Sequence, residues 1–217
     1  MINKFETFAV LEHGLVVKHQ AQPYDIMVGD DVSGRLPTLM THRFMRLAQA
    51  GGHIETVPET HFMASGRSDH VRNSIADAHE WQLNLNLRAV DILDEREDAR
   101  VLTVTEFKIN GDALMRIAKA FRSQGVTDIE EVIIPTPYAY ETPGVSGSSI
   151  ERRSLGVYKE APAAVSRRRV NAKGRTIAQF RYFLDDYTRS LYEYAFNEPA
   201  PITRPFDRSA NAGWLSH

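Results

Sequence analysis

Two glycine-bearing stretches hold the residue types that a phosphate-handling site needs. One is Gly29-Asp30-Asp31-Val32-Ser33-Gly34-Arg35, and the other is Thr105-Glu106-Phe107-Lys108-Ile109-Asn110-Gly111-Asp112. In the second, a strand-like run ends, a short loop turns at Gly111, and a helix opens at Asp112. The first amides of such a helix have no partner within it, and with the positive end of the helix they attract an anion. Gly111 lets the backbone come close, and Glu106 at the strand's end is placed to accept hydrogen bonds from sugar hydroxyls. Asp112 is also simply a good helix cap. Asp30-Asp31 in the first stretch fits either a metal site or a solvated turn.

These loops need strands behind them and helices after them, and the chain supplies both. Tyr24 to Gly29 is a short apolar run closed by glycine, as a buried strand would be. Pro37 fits the first turn of a following helix, in which Leu36, Leu39, Met40, Phe44 and Leu47 recur at helical spacing before Gly51 and Gly52 stop it. Arg100 to Glu106 reads as the clearest strand. The helix opened by Asp112 carries Leu114, Ile117, Ala118 and Phe121 on one face, and Gly125 ends it. Ile129 to Ile134 is the next strand, stopped by Pro135 and Pro137. Between these, Val57 to Ser74 reads as a long polar loop. From Trp81 to Leu93 the alternation Gln-Leu-Asn-Leu-Asn-Leu is strand-like, and helix is predicted only near Ala89 to Glu95. A long helix is predicted over Thr176 to Phe196, with Ile177, Phe180, Leu184, Tyr187, Leu191 and Tyr194 as an alternating 3-4 seam that serves core packing or a homodimer contact. Strands alternating with helices predict an α/β fold: an open, mainly parallel sheet with helices on both faces and a C-terminal helical extension. Residues 1–198 are expected to form one domain, and 199–217 a tail.

Residues 101–113, Val-Leu-Thr-Val-Thr-Glu-Phe-Lys-Ile-Asn-Gly-Asp-Ala, resemble the signature of type I phosphoribosyltransferases. That signature is four mostly hydrophobic residues, two acids, a short loop with Thr-Gly, and a helix. Strand position, Glu106, Gly111 and the helix match; Thr105 stands where the first acid belongs, Asn110 stands where threonine is usual, and Asp112 adds negative charge. Val28 to Arg35 is similar to the family's pyrophosphate loop, especially that of adenine phosphoribosyltransferases. The resemblance covers roughly residues 20–140 and implies a type I phosphoribosyltransferase-like fold. It also implies transfer of ribose 5-phosphate between phosphoribosyl pyrophosphate and a nitrogen base, with magnesium arriving on the substrate's pyrophosphate. On this reading Glu106 meets the ribose hydroxyls, and Lys108, Ile109, Asn110 and Gly111 cradle the 5-phosphate. Asp31, Ser33, Gly34 and Arg35 face the pyrophosphate and its magnesium. Residues 57–74 supply the mobile closing loop, with Arg67, His70 and Arg72 available for phosphate, and Arg67 joins Glu106 as a catalytic candidate. The N-terminal stretch and the region after Thr142 would supply any base-binding hood. The alternative is a non-catalytic relative that binds a nucleotide and regulates.

Other features narrow the field. Among eight histidines, His53, His61, His70 and His79 show no i, i+4 pair and no cysteine assists, so no structural metal is expected. Residues 151–175 carry eight Lys or Arg against two Glu, a local +6. That run fits a solvated face or contact with phosphate or nucleic acid, the bland use being the commoner. Tyr138 and Tyr140 suit base stacking or ordinary packing. The chain has 217 residues, 42% hydrophobic and 25% charged, with a net charge of -2, which suits a globular protein with no global pull toward nucleic acid or anionic lipid. No run free of Asp, Glu, Lys and Arg exceeds nine residues, far short of the roughly 20 a bilayer-spanning helix needs. Met1 to Leu15 lacks the pattern of a secretory signal. With no cysteine, disulfides and thiolate chemistry are excluded and the cytoplasm is the expected compartment.

Overall fold

The computed structural model describes residues 4–30, 34–65, 75–94, 96, 98–105, 112–133 and 175–203. Their elements run α1 (Lys4–Ala21), β1 (Ile26–Asp30), α2 (Arg35–Ala50), β2 (Glu59–Met63), α3 (Ile75–Leu93), β3 (Val101–Thr105), α4 (Asp112–Arg122), β4 (Ile129–Ile133) and α5 (Arg175–Phe196). The four strands form one parallel sheet in the order β2-β1-β3-β4. β1 and β3 are central and buried along their whole length, which is why they read as continuous apolar runs.

Alternate residues of the two central strands feed two cores. Ile26, Val28 and Val101 face α3 and α4, packing with Leu85, Ala89, Ile92, Ile117 and Phe121. Met27, Leu102 and Val104 face α2, packing with Met40, Phe44 and Leu47. α2 is itself covered by α1 and α5, which contribute Phe8, Leu15, Val16, Leu191 and Tyr192 to that core. Among the described residues one face of the sheet thus carries a single helical layer and the other carries two. Because α2 lies between sheet and outer helices, even Thr38, Thr41 and Arg43 are buried on it. Past α5 the chain turns back, and Arg189 donates to the carbonyls of Ala200 and Pro201, each at 3.0 Å.

A polar cluster binds the amino ends of the strands together. The Arg100 guanidinium lies over the Tyr24 ring at 4.2 Å, 3.2 Å from the Asp128 carboxylate, and donates to Glu130 at 3.3 Å. Tyr24 donates its hydroxyl to Glu130 at 2.6 Å, and Lys18 pairs with the same carboxylate.

The structure corrects four expectations. Residues 57–74 are not loop throughout, because β2 occupies Glu59–Met63. Among the described residues it is an edge strand with one neighbour, exposed at Glu59 and partly exposed through Phe62, so its Glu, Thr and His can meet water and the apolar signal is diluted. The alternating leucines from Trp81 onward lie on a helix, α3, of 19 residues. Leu85, Ala89 and Ile92 point inward while Leu83, Leu87 and Val90 are about half exposed, so two apolar stripes on one helix mimic a strand's alternation. Residues 4–21, for which the pattern predicts no element, form α1. At the end of α5 the buried stripe passes through Leu191 to Tyr192, and Tyr194 is 50% exposed with its ring edge-on to Phe5. The remaining boundaries fall within two residues of expectation at β1, β3 and β4. Gly52 and Gly125 both take the left-handed conformation past helix ends, at φ of 82° and 91°.

Candidate functional site

In a doubly wound parallel sheet, ligands bind beyond the carboxyl ends of the strands, at the point where successive connections leave on opposite faces. Here that point lies between β1 and β3, since α2 returns on one face and α3 and α4 on the other. The register pairs Gly29 with Val104, so the next residues, Asp30 and Thr105, end neighbouring strands side by side. Alternation along the strands puts both on the α3/α4 side. Both are buried.

Gly34 joins the two strand exits. Its amide donates to the Asp30 carbonyl at 2.8 Å, and its own carbonyl accepts from the Thr38 amide at 3.0 Å and the Thr38 hydroxyl at 2.6 Å. A Cβ on Gly34 would lie 2.5 Å from the Val104 carbonyl oxygen and 2.8 Å from that of Asp30, so only glycine lets this turn seat against β3. We expect Gly34→Ala to cost about 1–3 kcal/mol, since the obstructing atoms are backbone and no rotamer change relieves them. A denaturation midpoint equal to that of the parent would disprove the close seat. Gly29 is comparably confined, with its Cβ position 2.8 Å from the Phe62 ring. Arg35, next in sequence, is exposed and lies over that ring at 5.4 Å.

Asp30 is not on a solvated turn. It is the last residue of β1, 2% exposed, and accepts a 2.8 Å hydrogen bond from the buried Ser65 hydroxyl. Ser65 in turn is held through its carbonyl by Arg116 of α4 at 3.1 Å, and the neighbouring Ala64 carbonyl by the Trp81 indole at 2.9 Å. The Arg116 guanidinium lies over the Trp81 ring at 4.7 Å. Nothing in the order of residues signals that Asp30, Ser65, Trp81 and Arg116 meet. A surface groove of about 690 Å³ runs between α3 and α4, lined by His79, Gln82, Asn86, Met115, Arg116 and Lys119 among others. It borders this network through Arg116.

Of the sequence-derived candidates, Gly34 and Arg35 are brought to the carboxyl end of β1, and α4 opens at Asp112 directly beyond the second loop. Asp31, Ser33, Arg67, His70, Arg72, Glu106, Lys108, Ile109, Asn110 and Gly111 lie outside the described residues, as do Tyr138, Tyr140 and the basic run before Arg175. Among the histidines, His53 is stacked on Phe196 with ring centroids 3.9 Å apart and lies 2.8 Å from Glu198. His61 lies 2.9 Å from Glu59, and burial lowers its pKa despite that carboxylate. Among the described residues no three His, Asp or Glu side chains gather where a metal could sit, and no helix is long and apolar enough to cross a membrane.

The arrangement defines an α/β protein with a parallel sheet and helices on both faces, in which the exits of β1 and β3 and the first turns of α2 and α4 share one end. No protein-family model, no curated protein and no solved structure matches the chain.

Proposed function

We propose that this chain binds phosphoribosyl pyrophosphate, with magnesium carried on the pyrophosphate, between the exits of β1 and β3. On this reading it is a type I phosphoribosyltransferase-like protein that transfers ribose 5-phosphate between that donor and a nitrogen base. The observation that carries the proposal is the seat of Gly34 against Val104, which brings the loop after β1 to the end of β3. On this reading the two stretches of phosphate-binding composition flank one crevice, and each leads into a helix, α2 or α4, whose positive N-terminal end favours an anion.

In the reaction the bond from ribose C1 to the pyrophosphate oxygen breaks and pyrophosphate leaves with the electron pair. A ring nitrogen of the base bonds to C1 and gives up its proton. The protein's part is positioning and charge stabilisation. Asp31, Ser33, Gly34 and Arg35 would hold the pyrophosphate, and Lys108, Ile109, Asn110 and Gly111 the 5-phosphate. Glu106 would hold the ribose hydroxyls, and Arg67 would neutralise charge on the leaving group.

Calorimetry with phosphoribosyl pyrophosphate and magnesium, followed by pyrophosphate release with purine, pyrimidine and orotate acceptors, tests the reading. Binding that is weakened by Glu106→Ala, together with release, supports it. Binding without release points to the nucleotide-binding regulator, a reading favoured by the buried hydroxyl of Thr105 at the end of β3, where an enzyme of this type would place a carboxylate. No binding at all overturns both.

A further inference from the structure

β2 is an edge strand whose ladder stops at Met63, so the next carbonyls, of Ala64 and Ser65, have no strand partner to take them. They are taken instead by two side chains from the helices above, Trp81 of α3 and Arg116 of α4. Arg116 cannot swing freely, because its guanidinium rests on the Trp81 ring. Ser65 is thereby fixed with its hydroxyl on the Asp30 carboxylate, a buried charge that needs hydrogen-bond donors. From Asp30 the chain of bonds continues through its carbonyl to Gly34 and on to Thr38 in the first turn of α2. One guanidinium from the helix that follows β3 thus holds the exit of β2, and through it the exit of β1.

We propose that Arg116 is a positioning residue for the crevice: by holding Ser65 it keeps the Asp30 carboxylate, and Gly34 bonded to the Asp30 carbonyl, in place for the pyrophosphate end of the substrate. This rests on the phosphoribosyl pyrophosphate reading above. Among the described residues its influence passes through Ser65 and Asp30. Such a path is a coupling between groups and is measured as one.

The experiment is calorimetric titration of the full chain with magnesium phosphoribosyl pyrophosphate, for the parent and for Ser65→Ala, Arg116→Met, Arg116→Lys and the Ser65→Ala, Arg116→Met double variant. Each loss-of-bond variant should weaken binding about tenfold, within the coupling range of residues sharing one network. The double variant should bind no worse than the weaker single, because both break the same chain. Lysine can still donate to the Ser65 carbonyl, so Arg116→Lys should recover part of the affinity. A merely structural role would lower the melting temperature while leaving affinity below the melt unchanged, and that result overturns the inference, as would single effects that multiply in the double variant. If Arg116→Met fails to fold, Ser65→Ala and Arg116→Lys decide the question by the same comparison. A parent chain that does not bind the probe overturns the functional reading and this inference with it. A parent that binds, with Arg116→Met binding within about twofold, overturns the positioning role alone.

Discussion

Glu12→Gln should abolish a loss of stability that the parent chain suffers between about pH 4.5 and pH 8. Glu12 lies on α1 with no exposed surface, facing Thr41 of α2, whose hydroxyl donates to one carboxyl oxygen at 3.0 Å; the other oxygen has no hydrogen-bond partner. Burial raises its pKa from 4.5 to about 8, the Thr41 hydrogen bond acting in the opposite direction. The folded chain therefore keeps a proton that the unfolded chain releases above pH 4.5. Where the folded state binds more protons, stability falls as pH rises, and the fall ends once the folded carboxyl has ionised near pH 8. At about 1.4 kcal/mol per pH unit the loss has a ceiling of about 5 kcal/mol, and relaxation of the site will leave the measured value below it. Glutamine has no proton to lose. Denaturant unfolding should therefore give nearly equal stabilities for parent and variant at pH 4.5, and a more stable variant at pH 8.5. Parallel stability curves would show that Glu12 is not buried as the structure has it.

Asp185→Ala should cost about 3–5 kcal/mol, because it removes a carboxylate that pairs with a guanidinium in the core. Arg43 of α2 has a side chain only 1% exposed, and it pairs with Asp185 of α5, whose side chain is 21% exposed. Burial draws the Arg43 pKa down and Asp185 opposes that shift, which is how a charge survives at this depth. A loss of that size is a large share of the roughly 5–15 kcal/mol that holds a typical domain together. Replacing both partners with apolar groups, as Arg43→Met with Asp185→Leu, should recover most of it, since no unpaired charge then remains. Urea denaturation of the single and double variants checks this. A double variant as unstable as Asp185→Ala would mean that the pair stabilises through packing that methionine and leucine cannot reproduce.

What the sequence makes legible here depends on how many sides of an element are covered. β1 and β3 are covered on both faces, so their apolar runs are unbroken. α2 is recognised from Met40, Phe44 and Leu47 between a proline and two glycines. α1 escapes notice because Phe8, Leu15 and Val16 are buried while Val10, Leu11 and Val17 are exposed, which leaves no single apolar stripe. β2 escapes because an edge tolerates Glu59, Thr60 and His61. The site divides in the same way. Gly34 is legible because a turn between strand and helix needs a residue without a side chain. Asp30 is visible in the chain, but its burial is not. Ser65, Trp81 and Arg116 come from three segments, and only the crossing of β2 to β3 over β1 brings them to Asp30.

The double helical layer on one face has a consequence for the order of assembly. α1 begins at Lys4 and its main partner α5 ends at Phe196, with Phe5 set edge-on to Tyr187 at 5.9 Å and His13 to Phe196 at 5.1 Å. Contacts between such distant parts of the chain form late, because the loop they close is long. During synthesis α1 emerges before α5 and waits for it before its inner side is covered, so the side of α2 on which Phe44 meets Tyr192 and Phe196 stays open to water until α5 arrives. That face is thus clad later than the other, where α3 and α4 close over β1 and β3 from nearer in the chain.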